Sequence, residues 1–558
     1  MTLAALCLFA AAFFVFPLGW LARVGLSGAG GGLSLGPAID MLTSGSVPRA
    51  LWRSLESAGA SATISLILGT VVAILVGLTD MRGKAVFTFL LLIPMMVPPH
   101  VTAIAWVQAM GPSSPVLNTL GLAPPPGSPH PLYGRQGVIA LLAAQNTPLV
   151  FLVVLAALRA LPRELSEAAR VSGARAGRLL RRIILPLLAP TLIAAYALAF
   201  VSALGNFGIP ALLGIPGRYV TLPVLIWQRL SAFGPSMLAD VAVIASILAG
   251  LAILVVAVQM TLLRRTRNAL IGPPQAPLRV ALGRARPVVE AAMGLLVIVT
   301  LVLPMTALFG TALVVTYGLP LNAQTVTFDN FREILFEQSV TARAFANSTL
   351  TAGLAAASLA AAGILLARLL AGPPGLPRRV SLGLSTLAEM TYAIPGLVIS
   401  VGFILAFIRP LPLLDISIYN TLVIIFLAYL CAFFAVALKP ISAAFQQLDP
   451  ALDEAARVAG ARFWPRIWRI TVPLIAPAAA SGAILVFLIA YNEVTVSALL
   501  WSTGTETIGT AIYNYEDGGY TTLAAAMSAV TVVATAILMA GLDLFGRHLP
   551  PGVVPWRL

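Results

Sequence analysis

Charge is scarce in this chain: only 10% of its 558 residues are Asp, Glu, Lys or Arg, against about a quarter in soluble domains. That shortage excludes a disordered chain, a coiled coil and an ordinary soluble enzyme. Cysteine is nearly missing. Cys7 and Cys431 lie in separate apolar runs, so the sequence writes neither a disulfide framework nor a cysteine zinc site. The three histidines, His100, His130 and His548, are far apart and form no local metal motif. A phosphate-binding loop is also lacking, because Gly83-Lys84 has neither the upstream Gly nor the following Ser or Thr. Apolar residues are plentiful instead: 59% of the chain is hydrophobic and the mean hydropathy is +0.96. With 46 Gly and 41 Pro, this is the usage of membrane helices. The class expected is an all-α polytopic membrane protein. The net charge of +14 belongs to the loops that hold the topology, not to nucleic-acid binding.

A spanning helix needs about 20 mostly apolar residues. Twelve segments qualify, at 2–22, 57–79, 86–110, 136–158, 187–207, 238–262, 289–315, 346–370, 382–408, 417–437, 474–495 and 521–545. The first has no basic residue before its apolar run and no small-x-small cleavage site, so it reads as a retained helix. With both termini cytoplasmic, 25 of the 34 basic residues fall on the inside, which sets the orientation. Residues 264–287 are rich in Arg and Pro without an apolar run. They read as a cytoplasmic linker between two six-helix halves, 1–263 and 288–558.

The strongest pattern is an internal repeat at an offset of 287 residues. LPRELSEAARVSGARAGRLLRRIILPLLAP, from Leu161 to Pro190, matches LDPALDEAARVAGARFWPRIWRITVPLIAP, from Leu448 to Pro477, at sixteen of 30 positions without a gap. Both copies fall on the cytoplasmic face, six helices apart, so the halves are parallel repeats. In the second copy Asp449 can cap a first turn that Pro450 opens, and Asp453 and Glu454 suit the positive helix end. Gly460, like Gly173 in the first copy, suits a left-handed terminus. Attraction of arginines to anionic lipid would account for one amphipathic helix. It does not require two copies with the same Glu, Gly and Pro spacing, whereas a docking surface does. Weaker echoes pair Pro98 with Pro395, and the segment after Asn206 with the segment after Asn492.

Glu167-Ala168-Ala169, then Gly173, Ile183 and Leu185-Pro186, resembles the EAA loop of binding-protein-dependent ABC importer permeases. The second copy, Glu454-Ala455-Ala456, Gly460, Ile470 and Val472-Pro473, departs by Val for Leu before the proline. The resemblance covers essentially the whole chain as a fused pair of permease domains. Its layout is similar to ferric-iron permeases and, less closely, to thiamine and aminoethylphosphonate permeases; polyamine import is a further alternative. The resemblance implies that each loop forms a coupling helix in a groove of a cytoplasmic ATP-binding subunit. It carries over Glu167, Ala168, Ala169, Gly173, Glu454, Ala455, Ala456 and Gly460 as mechanical contacts. Two such subunits, a periplasmic solute-binding protein and the lipid of a bacterial inner membrane are the partners implied. ATP and Mg would sit in the partner ATPase, with no cofactor or metal held by this chain and no enzyme activity of its own. An ion-coupled secondary transporter also has twelve helices in two halves, but leaves the repeated EAA segments without a role.

Ionisable groups inside spans are costly and mark transport paths or buried pairs. Glu389 and Tyr392 fall in the ninth segment, Glu493 at the outer end of the eleventh, His100 in the third, Asn146 in the fourth and Asn206 at the outer end of the fifth. Pro98, Pro148 and Pro395 break helices nearby, as in many transport sites. Carboxylate and phenolate oxygens suit a hard cation such as ferric iron; an amine would suit them too. Helix-to-helix hydrogen bonding is the competing reading of the same residues.

Overall fold

Every long apolar run becomes helix. The structure, a computed structural model, describes residues 2–27, 32, 34–43, 45–232, 237–265, 280–372, 375–410, 415–546 and 553. The first half consists of α1 (Leu3–Gly25), α2 (Val47–Leu78), α3 (Lys84–Met96), α4 (Pro99–Met110), α5 (Arg135–Arg159), α6 (Arg163–Val171), α7 (Gly177–Leu204), α8 (Leu222–Leu230) and α9 (Met237–Arg264). The second repeats this order as α10 (Gly283–Ala312), α11 (Ser339–Leu370), α12 (Leu376–Tyr392), α13 (Gly396–Phe407), α14 (Leu422–Gln447), α15 (Pro450–Val458), α16 (Trp464–Tyr491), α17 (Ile508–Asp517) and α18 (Thr521–Phe545). Ten of these helices are long and apolar enough to cross a membrane, and the pairs α3–α4 and α12–α13 raise the total to twelve. Of the expected linker, residues 266–279 lie outside the described residues.

Two expectations change. Segments 86–110 and 382–408 are not single helices: α3 and α4 bend by 100°, and α12 and α13 by 111°. A proline disfavours helical backbone in the residue before it, and Val97 is extended at φ −81°, ψ 132°. Pro98 and Pro395 then take almost identical angles, φ −54° with ψ 141° and 140°. Further, α7 and α16 begin about ten residues before segments 187–207 and 474–495, because the basic turns ahead of each apolar run are helical too.

Four five-residue π turns sit inside the spans, at Ala11–Val15, Leu180–Ile184, Ile298–Val302 and Ile467–Thr471. Each stands just before a proline: Pro17, Pro186, Pro304 and Pro473. A proline ring clashes with the carbonyl four residues back and offers it no N–H, so the ladder widens there. The pairs are 287 residues apart, which extends the repeat to α1 and α10. The closing proline of each EAA segment is one of these four.

Within each half the long helices pack tightly. A Cβ on Gly69 of α2 would stand 2.8 Å from Val150 of α5, and one on Gly363 of α11 would stand 2.8 Å from Ile441 of α14. Between the halves the opening helices are exchanged. α1 packs on α13 and α9, while α10 packs on α4 and α18. A Cβ on Gly402 of α13 would lie 3.1 Å from the Pro17 carbonyl oxygen. The Phe14 ring of α1 lies 5.8 Å from that of Phe434 in α14.

A clasp closes the turn after α2 on the stretch leading into α10. The Val280 amide donates to the Leu78 carbonyl at 2.6 Å, and Asp80 N–H donates to Val280 at 3.2 Å. The Asp80 carboxylate accepts from Leu282 N–H at 2.9 Å and pairs with Arg286. The Leu282 amide, seconded by Arg286, holds the Asp80 carboxyl below the usual carboxylate range.

Candidate functional site

The two repeated segments fold into α6 and α15. In α15 the Asp449 carboxylate caps the first turn by accepting from Ala451 N–H at 2.9 Å. Both helices stop at a left-handed glycine, Gly173 at φ +77° and Gly460 at φ +76°. The next residue reaches back, Ala174 N–H to Ala169 and Ala461 N–H to Ala456. This is the helix stop that glycine permits without a Cβ penalty. Glu167, Ala168, Glu454 and Ala455 are exposed, while Ala169 and Ala456 face inward and are buried. Beside them stand Val171 and Val458, each 90% exposed. These valines are equivalent in the repeat, and sequence reading passed over them because valine in an apolar chain draws no notice. An apolar side chain left in the open at the same point of two copies marks a surface made to be covered.

The second of the two helices is held by an ion triad. Asp453 of α15 accepts from Arg368 of α11 at 2.7 Å and from Arg466 of α16 at 3.0 Å. Both guanidinium groups are largely buried. In the first copy Ser166 and Leu179 stand at the positions of Asp453 and Arg466, and the last turns of α2 carry no charge.

A second set of residues gathers where α7 and α16 end. The Asn206 carboxamide oxygen accepts from Ile209 N–H at 3.1 Å. The Glu493 carboxylate accepts from Val496 N–H at 2.5 Å and from Ser497 N–H at 3.1 Å. Asn206 and Glu493 are thus equivalent turn caps, 287 residues apart. The sequence pairing of Asn206 with Asn492 was one residue out of register, because side-chain likeness outweighed spacing. Each cap packs on its own broken span. A Cβ at Gly208 would lie 3.0 Å from His100, and one at Gly396 would lie 2.9 Å from Val496. The halves also touch here, with Gly205 3.2 Å from Pro395 by the same measure. His100, Asn206, Pro395 and Glu493 therefore share one junction. Farther along, Phe207, Trp227 and Tyr513 form an aromatic cluster that ties α8 to α17, with centroids 5.5–6.0 Å apart.

The other predicted residues take no part in these contacts. Asn146 is buried in α5 and donates to Leu142 of its own helix at 3.0 Å. Glu389 and Tyr392 lie in the last turns of α12 and are exposed, with the Lys439 ammonium 5.0 Å above the Tyr392 ring. No group of three His, Cys, Asp or Glu side chains that could hold a metal occurs among the described residues.

A feature that sequence reading missed lies in α4. His100, Thr102, Trp106 and Gln108 are all buried. Six of their nitrogen and oxygen atoms have no hydrogen-bond partner among the described residues. Only His100 had attracted notice, since Thr, Trp and Gln are ordinary in an apolar run.

Two like halves of spanning helices, each with a broken span and an exposed amphipathic helix, define a multi-pass membrane permease. Residues 45–268 and 360–555 each match the family described as binding-protein-dependent transport system inner membrane component, and the chain belongs to that family. It is 26% identical over 522 residues to a probable ABC transporter permease protein, y4fN, of Sinorhizobium fredii, covering 91% of this chain and 89% of the relative. It is 25% identical over 510 residues to the ferric transport system permease protein FbpB of Actinobacillus pleuropneumoniae, covering 90% and 72%. A putative 2-aminoethylphosphonate transport system permease protein, PhnU, of Salmonella typhi is 28% identical over 230 residues, covering 39% of this chain and 76% of that one. The chain is thus a permease component of an ABC transporter, not an enzyme, with two family domains fused in one polypeptide.

Proposed function

We propose that this chain is the fused transmembrane permease subunit of an ATP-driven importer. Residues 1–263 and 288–558 are its two permease repeats, and 264–287 is their cytoplasmic linker. The observation that carries the reading is the matched pair α6 and α15, each ending at a left-handed glycine and each presenting an uncovered valine. These helices dock into two separate ATP-binding subunits through Glu167, Ala168, Ala169, Gly173, Glu454, Ala455, Ala456 and Gly460. Both termini lie in the cytoplasm of a bacterial cell, and a periplasmic binding protein delivers the solute to the opposite face. ATP and Mg belong to the partner subunits. Closure of those subunits draws α6 and α15 together and switches the bundle between its two facings.

Ferric iron is the first candidate solute, supported by relatives named for ferric transport. The aminoethylphosphonate relative favours a second reading, import of an amino-phosphonate. The solute passes the junction of His100, Asn206 and Glu493, with Glu389, Tyr392 and Asn146 as further contacts along the way.

Co-purification from the native membrane tests the core of this proposal. The wild-type chain should bring down an ATPase, and Glu454→Lys or Gly460→Asp should abolish that capture or uncouple its hydrolysis. Normal transport by both variants without any ATPase would overturn the coupling assignment. Uptake of radioactive ferric citrate by iron-starved cells, with and without the chain, tests the solute. No difference with the protein present in the membrane would move the assignment to phosphonates.

A further inference from the structure

The starts of α7 and α16 occupy equivalent places and carry different side chains. Arg175, Arg178, Arg181 and Arg182 lead into α7, and all four are exposed. Their side chains have no ion-pair partner among the described residues. At the repeat offset, α16 keeps Arg462 for Arg175 and Arg469 for Arg182. It has Trp464 in place of Gly177, Pro465 in place of Arg178 and Trp468 in place of Arg181. The two tryptophans are 48% and 65% exposed. Four cations at the first turns of a helix oppose its positive end, where carboxylates are the favoured charge. Their concentration there points to a negative partner from outside the helix.

The surroundings say what that partner is. α7 packs on α2, α5 and α9, yet only 33% of its apolar stretch is buried, against 61% in α5. Most of α7 therefore faces lipid. Arg178, Arg182 and Pro186 are exposed residues at spacings of four, and the wider π turn at Leu180–Ile184 keeps them on one face. The basic face thus runs straight into an exposed apolar one. The exchange of Arg181 for Trp468 agrees. An arginine and a largely exposed indole at one position share one habitat, the headgroup layer of a bilayer. There a long cation reaches phosphates and an indole sits between hydrocarbon and water. A protein that gripped both copies alike would use the cations that both keep, Arg175 with Arg462 and Arg182 with Arg469. Arg178 and Arg181 belong to the first half alone.

We propose that Arg178 and Arg181, with Arg182, hold the phosphate of an anionic phospholipid at the start of α7, while Trp464 and Trp468 seat α16 at the same depth through apolar contact. The inference rests on the importer reading for its side of the membrane, the cytoplasmic leaflet. Guanidinium groups donate paired hydrogen bonds to phosphate oxygens. A zwitterionic headgroup would bring its own ammonium into the cluster, and an anionic one brings none. The lipid phosphate gives the elbow between α6 and α7 a negative charge of the kind that Asp453 gives the elbow between α15 and α16 through Arg466. The setting of α6 then follows the composition of the leaflet.

Native mass spectrometry of the purified complex, released from nanodiscs with equal amounts of phosphatidylglycerol and phosphatidylcholine, tests the site. The wild type should retain phosphatidylglycerol in preference. Arg178→Gln/Arg181→Gln should lower that retention at least tenfold, at about fivefold per arginine, and Trp464→Gln/Trp468→Gln should leave it unchanged. Equal retention of both lipids by the wild type, or undiminished retention by the arginine variant, overturns the site. So does displacement of the lipid by glycerol 3-phosphate, which would make this a site for a free anion. ATPase capture in lipid-free detergent separates the other outcomes. Equal capture by the wild type and the arginine variant supports the lipid assignment, and capture lost in the variant alone would give these arginines to the ATPase. No capture by either would overturn the importer reading, while lipid retention would still decide the site. The thermal midpoint of the arginine variant in the same detergent should equal or exceed that of the wild type, since cations leave a positive helix end. A fall of several degrees would show that the arginines serve the packing instead.

Discussion

The second half grips its amphipathic helix through an ion triad whose residues are not repeated in the first half. Asp453 ties α15 to α11 through Arg368 and to the start of α16 through Arg466, whereas Ser166 and Leu179 hold those places in the first copy. The helix rich in buried polar side chains, α4, is in the other half. One backbone plan thus carries two different loads: an ion-paired helix in the second half and buried polar side chains on α4 in the first. Sequence identity within the repeat conceals this, because the EAA residues match while their supports do not.

The largest expected difference between the halves concerns packing. A Cβ at Gly69 meets the Val150 side-chain root and the Phe151 backbone within 2.9 Å, whereas one at Gly363 meets the flexible tip of Ile441. Gly69→Ala should therefore cost about 3 kcal/mol, at the upper end for overpacking, and Gly363→Ala under about 1 kcal/mol. Thermal unfolding in detergent checks this, and equal losses would refute the packing contrast. Next comes the ion triad. Asp453→Asn leaves two largely buried guanidinium groups without their carboxylate and should cost about 2 kcal/mol, while Ser166→Asn should be near neutral. ATP-driven transport should fall with the first and not with the second. If both behave alike, the asymmetry of attachment has no consequence.

Smaller effects sharpen the likeness of the halves. Val171→Ser and Val458→Ser each remove apolar surface that a docked ATPase would cover, worth about 1 kcal/mol apiece. Capture affinity should drop about fivefold in either variant, measured by titrating the ATPase onto the purified chain. A drop in one alone would mean that only one helix docks. The weakest effect is the pH response of the clasp between the turn after α2 and the stretch leading into α10. Asp80 is held below its ordinary value when folded, so its stabilisation is present above about pH 4 and is lost as pH falls through the folded value. The gap in thermal midpoint between wild type and Asp80→Asn should close as the pH is lowered below about 4.

Class, span count and the repeat were legible from composition and spacing, because a bilayer demands long apolar helices whatever their tertiary setting. The EAA segments were legible because Glu, Gly and Pro each carry a local geometric meaning. The breaks at Pro98 and Pro395 were visible as prolines, but not as bends of 100° and 111°, since a proline alone sets no angle. The match of α1 with α10 escaped notice because it lives in the π turns before Pro17 and Pro304 and not in shared side chains. Polarity in α4 escaped for another reason. Whether Gln108 or Trp106 is satisfied depends on neighbours from the second half, and no local pattern records them.

The exchanged opening helices have a consequence for assembly. Since α1 is lodged in the second half and α10 in the first, neither half has its seam filled until the other is made. Cutting the chain at the linker would leave an interlocked pair and not two free parts. The covalent join matters instead for bookkeeping of a molecular kind. Halves made as separate chains could meet their own copies, giving a molecule with two copies of the polar α4 or with none. A single polypeptide delivers one of each to every molecule.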